Sequence, residues 1–313
     1  MEDEAVSRRS LLRGTAALCG ASMLTAQPDP PKLKVAIFSK HLMFLKDEQL
    51  AKGAAALGFD GIDLTVRKGG HVEPARVRQD LPTLVKILRD HGLEVPMITT
   101  DIVDAETPYV TDILAVMAEL HIRHSRWGGM KYTKDPSMAN QIEALKPRAA
   151  KLAALNAQYQ VGAMYHTHSG IDLVGASIWD LHEILAGLDP SAVGINYDIG
   201  HATIEGGFGG WINSFRITGP YLRGIAVKDF LWEKNRAGEW VAAWKPIGQG
   251  MVHWGEFFRM VAEAKFSGPL QLHFEYPLGG AEDGRSQLTM NENEVLPAMK
   301  RDLQQLRVYL RAG

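Results

Sequence analysis

Cysteine is almost missing from this sequence: Cys19 is the only one in 313 residues. It lies close to the N-terminus, so a chain trimmed of its first residues has no disulfide, no thiol nucleophile and no thiolate metal site. Leu18 stands before it, where a lipid-attachment cysteine takes a small residue, and lipidation is not expected. Charge of one sign is scarce too. Lys and Arg number 34 against 36 Asp and Glu, a formal net charge of −2. No basic field draws in a polyanion, so no nucleic-acid partner is expected. No apolar run is long enough to span a bilayer, and no stable membrane association is expected. A Gly-rich phosphate loop after the first strand is also missing, which weighs against an open dinucleotide-binding sheet.

The first residues do carry a pattern. Ser7-Arg8-Arg9-Ser10-Leu11-Leu12-Arg13 precedes a short apolar stretch from Gly14 to Ala26. This order resembles a twin-arginine export signal. The resemblance implies a signal segment over 1–26, a folded domain over 27–313, the twin-arginine export machinery as a partner, and a periplasmic or secreted location. Such machinery carries folded proteins, which suits an enzyme that takes up a cofactor before export.

From Leu33 onward one unit recurs: a helical stretch, a Gly or polar break, then a short apolar run. Eight strand candidates result, at Val35–Phe38, Asp60–Leu64, Leu93–Ile98, Ile122–Trp127, Val161–Tyr165, Val193–Tyr197, Gly224–Val227 and Pro269–Phe274. Amphipathic stretches such as Val77–His91 and Ile142–Gln158 separate them. Alternating strands and helices pair in parallel with right-handed crossovers, and eight units without a linker predict one α/β domain, a (β/α)8 TIM barrel.

In that architecture chemistry sits at the C-terminal strand ends. Those ends read Lys40-His41, Thr65-Val66-Arg67, Thr99-Thr100-Asp101, Arg126-Trp127, His166-Thr167-His168, Asp198, Lys228-Asp229 and Glu275. Strand parity sends alternate residues to opposite faces. It places His166 with His168, Asn196 with Asp198, Ala226 with Lys228, and Gln271 with His273 and Glu275 toward the barrel axis. Several ionisable groups converging on one concavity mark a candidate site.

Tyr165-His166-Thr167-His168-Ser169-Gly170, Asp198-Ile199-Gly200-His201, Val227-Lys228-Asp229-Phe230 and His273-Phe274-Glu275-Tyr276 resemble the strand-end motifs of xylose-isomerase-like barrels. Phe38–Leu42, Gly58–Arg67 and Gly69–Val72 are similar to a narrower group of sugar phosphate isomerases and epimerases. The resemblance implies a carbohydrate substrate and a divalent metal (Mn, Zn, Co or Mg) held by Glu, Asp, His and Glu after strands five to eight. Asp198 and Glu275 match the second and fourth positions. His166 stands at the first, and Ala226 where the His is expected. The candidate metal ligands are therefore Asp198, Glu275, His166 and His201, with His168 as a further donor.

The expected chemistry is isomerisation, epimerisation or elimination that begins by removing a proton beside a sugar carbonyl. Glu275, His166 and Lys228 are the candidate catalytic residues, the first two for the proton and the ammonium for the oxyanion. Lys40, His41, Arg67, His71, Arg126, His168 and Asp229 are candidate substrate contacts. Trp127 and Trp232 follow strand ends, where an indole can stack on a sugar. Plainer roles stay open: Asp198 as a helix cap, Glu275 as the ion-pair partner of Lys228 or Arg126, the histidines as core. Two other functions compete: an exported sugar-binding barrel without turnover, and an abasic-site endonuclease, which implies a three-zinc cluster. The sequence leaves the oligomeric state open.

Overall fold

The computed structural model describes residues 33–134 and 137–312. The expected signal segment, 1–26, lies outside the described residues. Eight parallel strands close into a barrel: β1 (Val35–Phe38), β2 (Gly61–Val66), β3 (Glu94–Thr100), β4 (His124–Trp127), β5 (Gly162–His166), β6 (Val193–Asp198), β7 (Leu222–Val227) and, after an inserted hairpin, β10 (Leu270–Leu272). All eight candidate strands are present. The barrel closes where Val35 pairs with Leu270 and Ala36 with Gln271.

Each strand alternates between two burials. Val35, Ile37, Ile62, Leu64, Val193, Ile195, Ile225 and Leu272 point outward and are buried under helices. That burial is worth about 1.5–3 kcal/mol for each such side chain. The covering helices include α1 (Asp47–Leu57), α2 (Val77–Asp90), α3 (Val110–Glu119), α4 (Met138–Tyr159), α5 (Trp179–Leu185), α6 (Ile199–Gly206), α7 (Gly210–Thr218), α8 (Trp254–Glu263) and α9 (Glu292–Ala312). The helix expected from Ile142 begins earlier, at Met138, because Ser137 caps it by accepting from Asn140 N at 3.3 Å.

Low in the barrel the axis-facing residues are mixed, with His124 beside Met97 and Gly162, and at the mouth they are polar. Met164 crosses the floor, and Gly224 makes room for it: a Cβ at 224 falls 2.9 Å from Met164 Sδ and 2.8 Å from Asn196 Oδ1. Above this floor Asn196 Nδ2 donates to Gln271 Oε1 at 2.8 Å.

One element was not expected. Between β7 and α8 the chain forms an antiparallel hairpin, β8 (Asp229–Lys234) with β9 (Trp240–Lys245). Asn235 Oδ1 fixes its turn by accepting from Ala237 N at 2.9 Å and Glu239 N at 3.0 Å.

Candidate active site

The site is built at the C-terminal end of the strands, beginning with histidines. A continuous wall of rings runs His201–His168–His166–His273–Phe38, with successive centroids 4.6, 4.5, 5.4 and 4.8 Å apart. Burial, with neighbouring positive charge, holds His166, His201 and His273 well below the usual imidazole range. The same causes lower His168 to about 3. All four are neutral at physiological pH, the form in which a ring nitrogen can serve as a metal donor.

Parity places the carboxylates as expected, with a division of labour. Asp198 is fully buried and caps α6, its Oδ1 accepting from His201 N at 3.0 Å. Its Oδ2 lies 3.1 Å from Lys228 Nζ and 3.5 Å from His166 Nε2. Burial raises the Asp198 carboxyl, and the attraction of Lys228 works against that rise. Glu275 is partly open. It accepts from Lys40 Nζ at 3.2 and 3.1 Å, and its Oε1 lies 3.8 Å from Lys228 Nζ and 3.9 Å from His273 Nδ1. The expected ion-pair partner Lys228 is present, joined by Lys40. Burial lowers Lys40, with Glu275 opposing.

Further cations surround Phe38. Lys40 Nζ, Arg67 Cζ and Arg126 Cζ stand 5.8, 5.6 and 5.8 Å from its ring centroid. Arg126 donates to His168 Nε2 at 3.4 Å. Arg67, Arg126, His166 and His168 line a cavity of about 360 Å³ that also touches Asp101 and Tyr165. A larger cleft of about 770 Å³ lies at the other end of the strands, around Gly61, Glu94 and His124, away from this chemistry.

The residues that fit a metal are His166, Asp198 and His273, whose donor atoms all lie within 4.8 Å of one another. Buried polar atoms are normally satisfied. Here His166 Nε2 and both ring nitrogens of His273 are buried without a hydrogen-bond partner, and Asp198 Oδ2 has only the Lys228 ammonium, at 3.1 Å. Two neutral imidazoles and a carboxylate suit a divalent ion of the Zn or Mn kind. Among the described residues this is the one such group, and it differs from the expected set. His273 enters it. Glu275 is instead held by the two lysines, and His201 is turned to Ser169 Oγ at 2.8 Å.

Three expected substrate contacts have their polar atoms engaged within the protein. His41 is fully buried; its Nδ1 faces Ala281 O at 3.2 Å and its Nε2 accepts from Phe274 N at 3.1 Å, so neither nitrogen is free. His71 is likewise used on both sides, by Thr65 Oγ1 at 3.0 Å and Leu45 O at 3.2 Å. Asp229 is buried and gathers the loop after the hairpin. It accepts from Gly248, Gly250 and Val252 N and from Trp254 Nε1, between 2.9 and 3.2 Å. A Cβ at Gly250 falls 2.0 Å from Asp229 Oδ1, so that approach needs glycine. Trp127 is buried edge-on against Tyr165 and offers no stacking face.

Sequence reasoning passed over Asp63, axis-facing on β2. Burial raises it to about 7, and Thr99 Oγ1 lies 2.9 Å from both its oxygens. Its parity with Thr65 was the available signal.

Residues 51–294 match the family model described as xylose isomerase-like TIM barrel. Among curated proteins no match is found. Solved structures similar to this chain include D-psicose 3-epimerase from Clostridium cellulolyticum, at 15% identity over 89% of this chain and 99% of that one, with a TM-score of 0.62. A xylose isomerase-like barrel from Mycobacterium smegmatis in complex with magnesium is 16% identical over 91% of this chain and 99% of that one, with a TM-score of 0.64. The 3-keto-D-glucoside 4-epimerase of E. coli is 12% identical over 88% of this chain and 100% of that one, with a TM-score of 0.63.

Proposed function

The chain belongs to the xylose isomerase-like TIM-barrel family, and on that premise we propose that it is a carbohydrate-active isomerase or epimerase whose reaction starts by removing a proton beside a sugar carbonyl. One observation carries this reading: the buried His166–Asp198–His273 cluster sits next to Lys228 and Glu275 at the barrel mouth. His166, Asp198 and His273 would hold a divalent ion, which would supply positive charge for a sugar oxygen. The chain's own groups do the rest. Glu275, partly open between Lys40 and Lys228, is placed to take the proton. Lys228 and Lys40 offset negative charge developing on the carbonyl oxygen. Arg67 and Arg126 hold substrate hydroxyl or anionic groups in the cavity beside them. Elimination from an oxidised sugar shares the first step and uses the same groups.

Two similar structures are named as sugar epimerases and one contains magnesium, which supports the reading. No observation favours the nuclease: it implies a three-zinc cluster, and the described residues hold a single three-donor group. Metal analysis of purified protein, joined to a turnover screen of free and 3-oxidised sugars, tests the proposal. Stoichiometric metal and turnover that Glu275→Gln abolishes are expected. Turnover that survives Glu275→Gln removes it as the base.

We further propose that residues 1–26 direct twin-arginine export to the periplasm or beyond. Arg8 and Arg9 followed by the short apolar stretch support it. A reporter fused to residues 1–30 should be exported folded. Export that continues after Arg8→Lys with Arg9→Lys overturns the reading.

A further inference from the structure

The hairpin β8–β9 extends the mouth outward. Its register sets Phe230 opposite Trp244, Trp232 opposite Ala242 and Lys234 opposite Trp240. Residues directly opposed in an antiparallel pair share a face, so one face carries four aromatic rings. At its inner end the Trp244 ring lies 4.7 Å from Lys228 Nζ and 5.1 Å from the His201 ring. Phe230 packs behind, 6.2 Å from Trp244 and 6.0 Å from Trp232. At the outer end Lys234 Nζ stands 5.5 Å from the Trp240 ring. Exposure rises along the stripe: Phe230 is buried, Trp232 is 41% exposed and Trp240 64%.

Core packing accounts for the inner pair and leaves the outer indoles unexplained. A tryptophan offers a flat apolar face with an N–H at its edge. A pyranose offers the complement, a face of C–H groups rimmed by hydroxyls. Trp240 to Trp244 spans four residues, about 13 Å along a strand, enough for a ring beyond the one at Lys228. We propose that the stripe is a subsite for a second sugar ring, so that the protein takes glycosides or short oligosaccharides, with the reacting ring at Lys228 and Glu275 and its neighbour stacked on Trp232 and Trp240. This rests on the sugar-site reading above, whose mouth the stripe adjoins.

The test is calorimetric titration of the full-length protein with methyl glucoside, methyl galactoside and methyl xyloside, and with cellobiose, maltose, lactose and xylobiose. At least one disaccharide should bind more tightly than the matching methyl glycoside, by on the order of tenfold. That advantage should vanish in Trp232→Ala with Trp240→Ala and persist in the paired Tyr substitutions. Both rings are exposed, and thermal melting confirms that the variants fold; if the double variant does not, Trp240→Ala alone should lose part of the advantage. The proposal is overturned if no disaccharide outbinds its methyl glycoside, or if the advantage survives loss of both indoles. A disaccharide advantage without turnover of any sugar keeps the subsite and removes the isomerase. Turnover of free monosaccharides without that advantage does the reverse.

Discussion

His273 has no hydrogen-bond partner on either ring nitrogen, although it is buried. His41, six ångströms from it by ring centroids (6.0 Å), has a main-chain partner on both. The same side chain thus serves two ends, and substitution separates them. His273→Leu removes two unsatisfied buried polar atoms and breaks no hydrogen bond, so unfolding free energy should hold or rise, by on the order of 1 kcal/mol. Retained metal should be lost in the same variant. Urea denaturation of metal-free protein reads the first effect and metal analysis of the protein as purified reads the second; a variant that keeps its metal removes His273 from the cluster. Asp229 lies on the structural side. Asp229→Asn keeps one acceptor oxygen for its several donors and should cost on the order of 3 kcal/mol, with metal content unchanged. A stable variant impaired in sugar binding instead restores Asp229 to the substrate contacts.

Element ends decide which residues a parity argument gets right. β10 is three residues long. His273 N still reaches Val227 O at 3.0 Å, but the next amide, Phe274 N, goes to His41 Nε2. A side chain from the 3-10 turn Ser39–Leu42, directly after β1, therefore ends the strand. Parity sent both His273 and Glu275 toward the axis; the family resemblance, not parity, named Glu275 as the metal ligand and left His273 out of that set. The prediction for this element is that His41→Leu, which orphans Phe274 N and Ala281 O, costs on the order of 3 kcal/mol in urea unfolding. A loss below about 1 kcal/mol shows that the strand end does not depend on His41. The eight strands themselves were legible because parallel barrel strands are short apolar runs bounded by breaks. His166, Asp198 and Lys228 were legible because they lie on, or one residue beyond, such runs. The hairpin was not legible: its strands, with the apolar runs Phe230–Trp232 and Trp240–Trp244, follow β7 without a helix between them and so break the strand–helix alternation. His71 and Asp229 were named as substrate contacts because a strand-end position says which way the backbone is heading. It does not say whether a main-chain amide or carbonyl already claims the side chain.

At the scale of the molecule, many titratable groups are held in a barrel that resists charging them. His41, His71, His124, His166, His168, His201 and His273 are all lowered, chiefly by burial. Asp63, Asp198 and Asp302 are raised by the same cause. The two sets act with opposite signs. Below pH 6.5 the unfolded chain protonates histidines that the folded chain keeps neutral, so stability present above 6.5 is lost on acidification. The raised carboxyls keep protons in the folded chain that the unfolded chain has released, so they add stability as pH falls from about 7 toward 3.8. Seven lowered histidines against three raised carboxyls give a net loss from pH 7 to pH 5. His124 isolates the effect. It lies at the opposite end of the barrel from the candidate metal residues, and burial, with Arg223 and Arg123 nearby, lowers it to about 4. Its Nδ1 has no hydrogen-bond partner, so replacing it by a neutral amide breaks no bond at that atom. The urea midpoint of the parent protein should fall between pH 7 and pH 5, and that of His124→Gln should fall by less. Equal falls in the two proteins would show that His124 takes up its proton in the folded state as readily as in the unfolded one, and that the lower end of the barrel admits water.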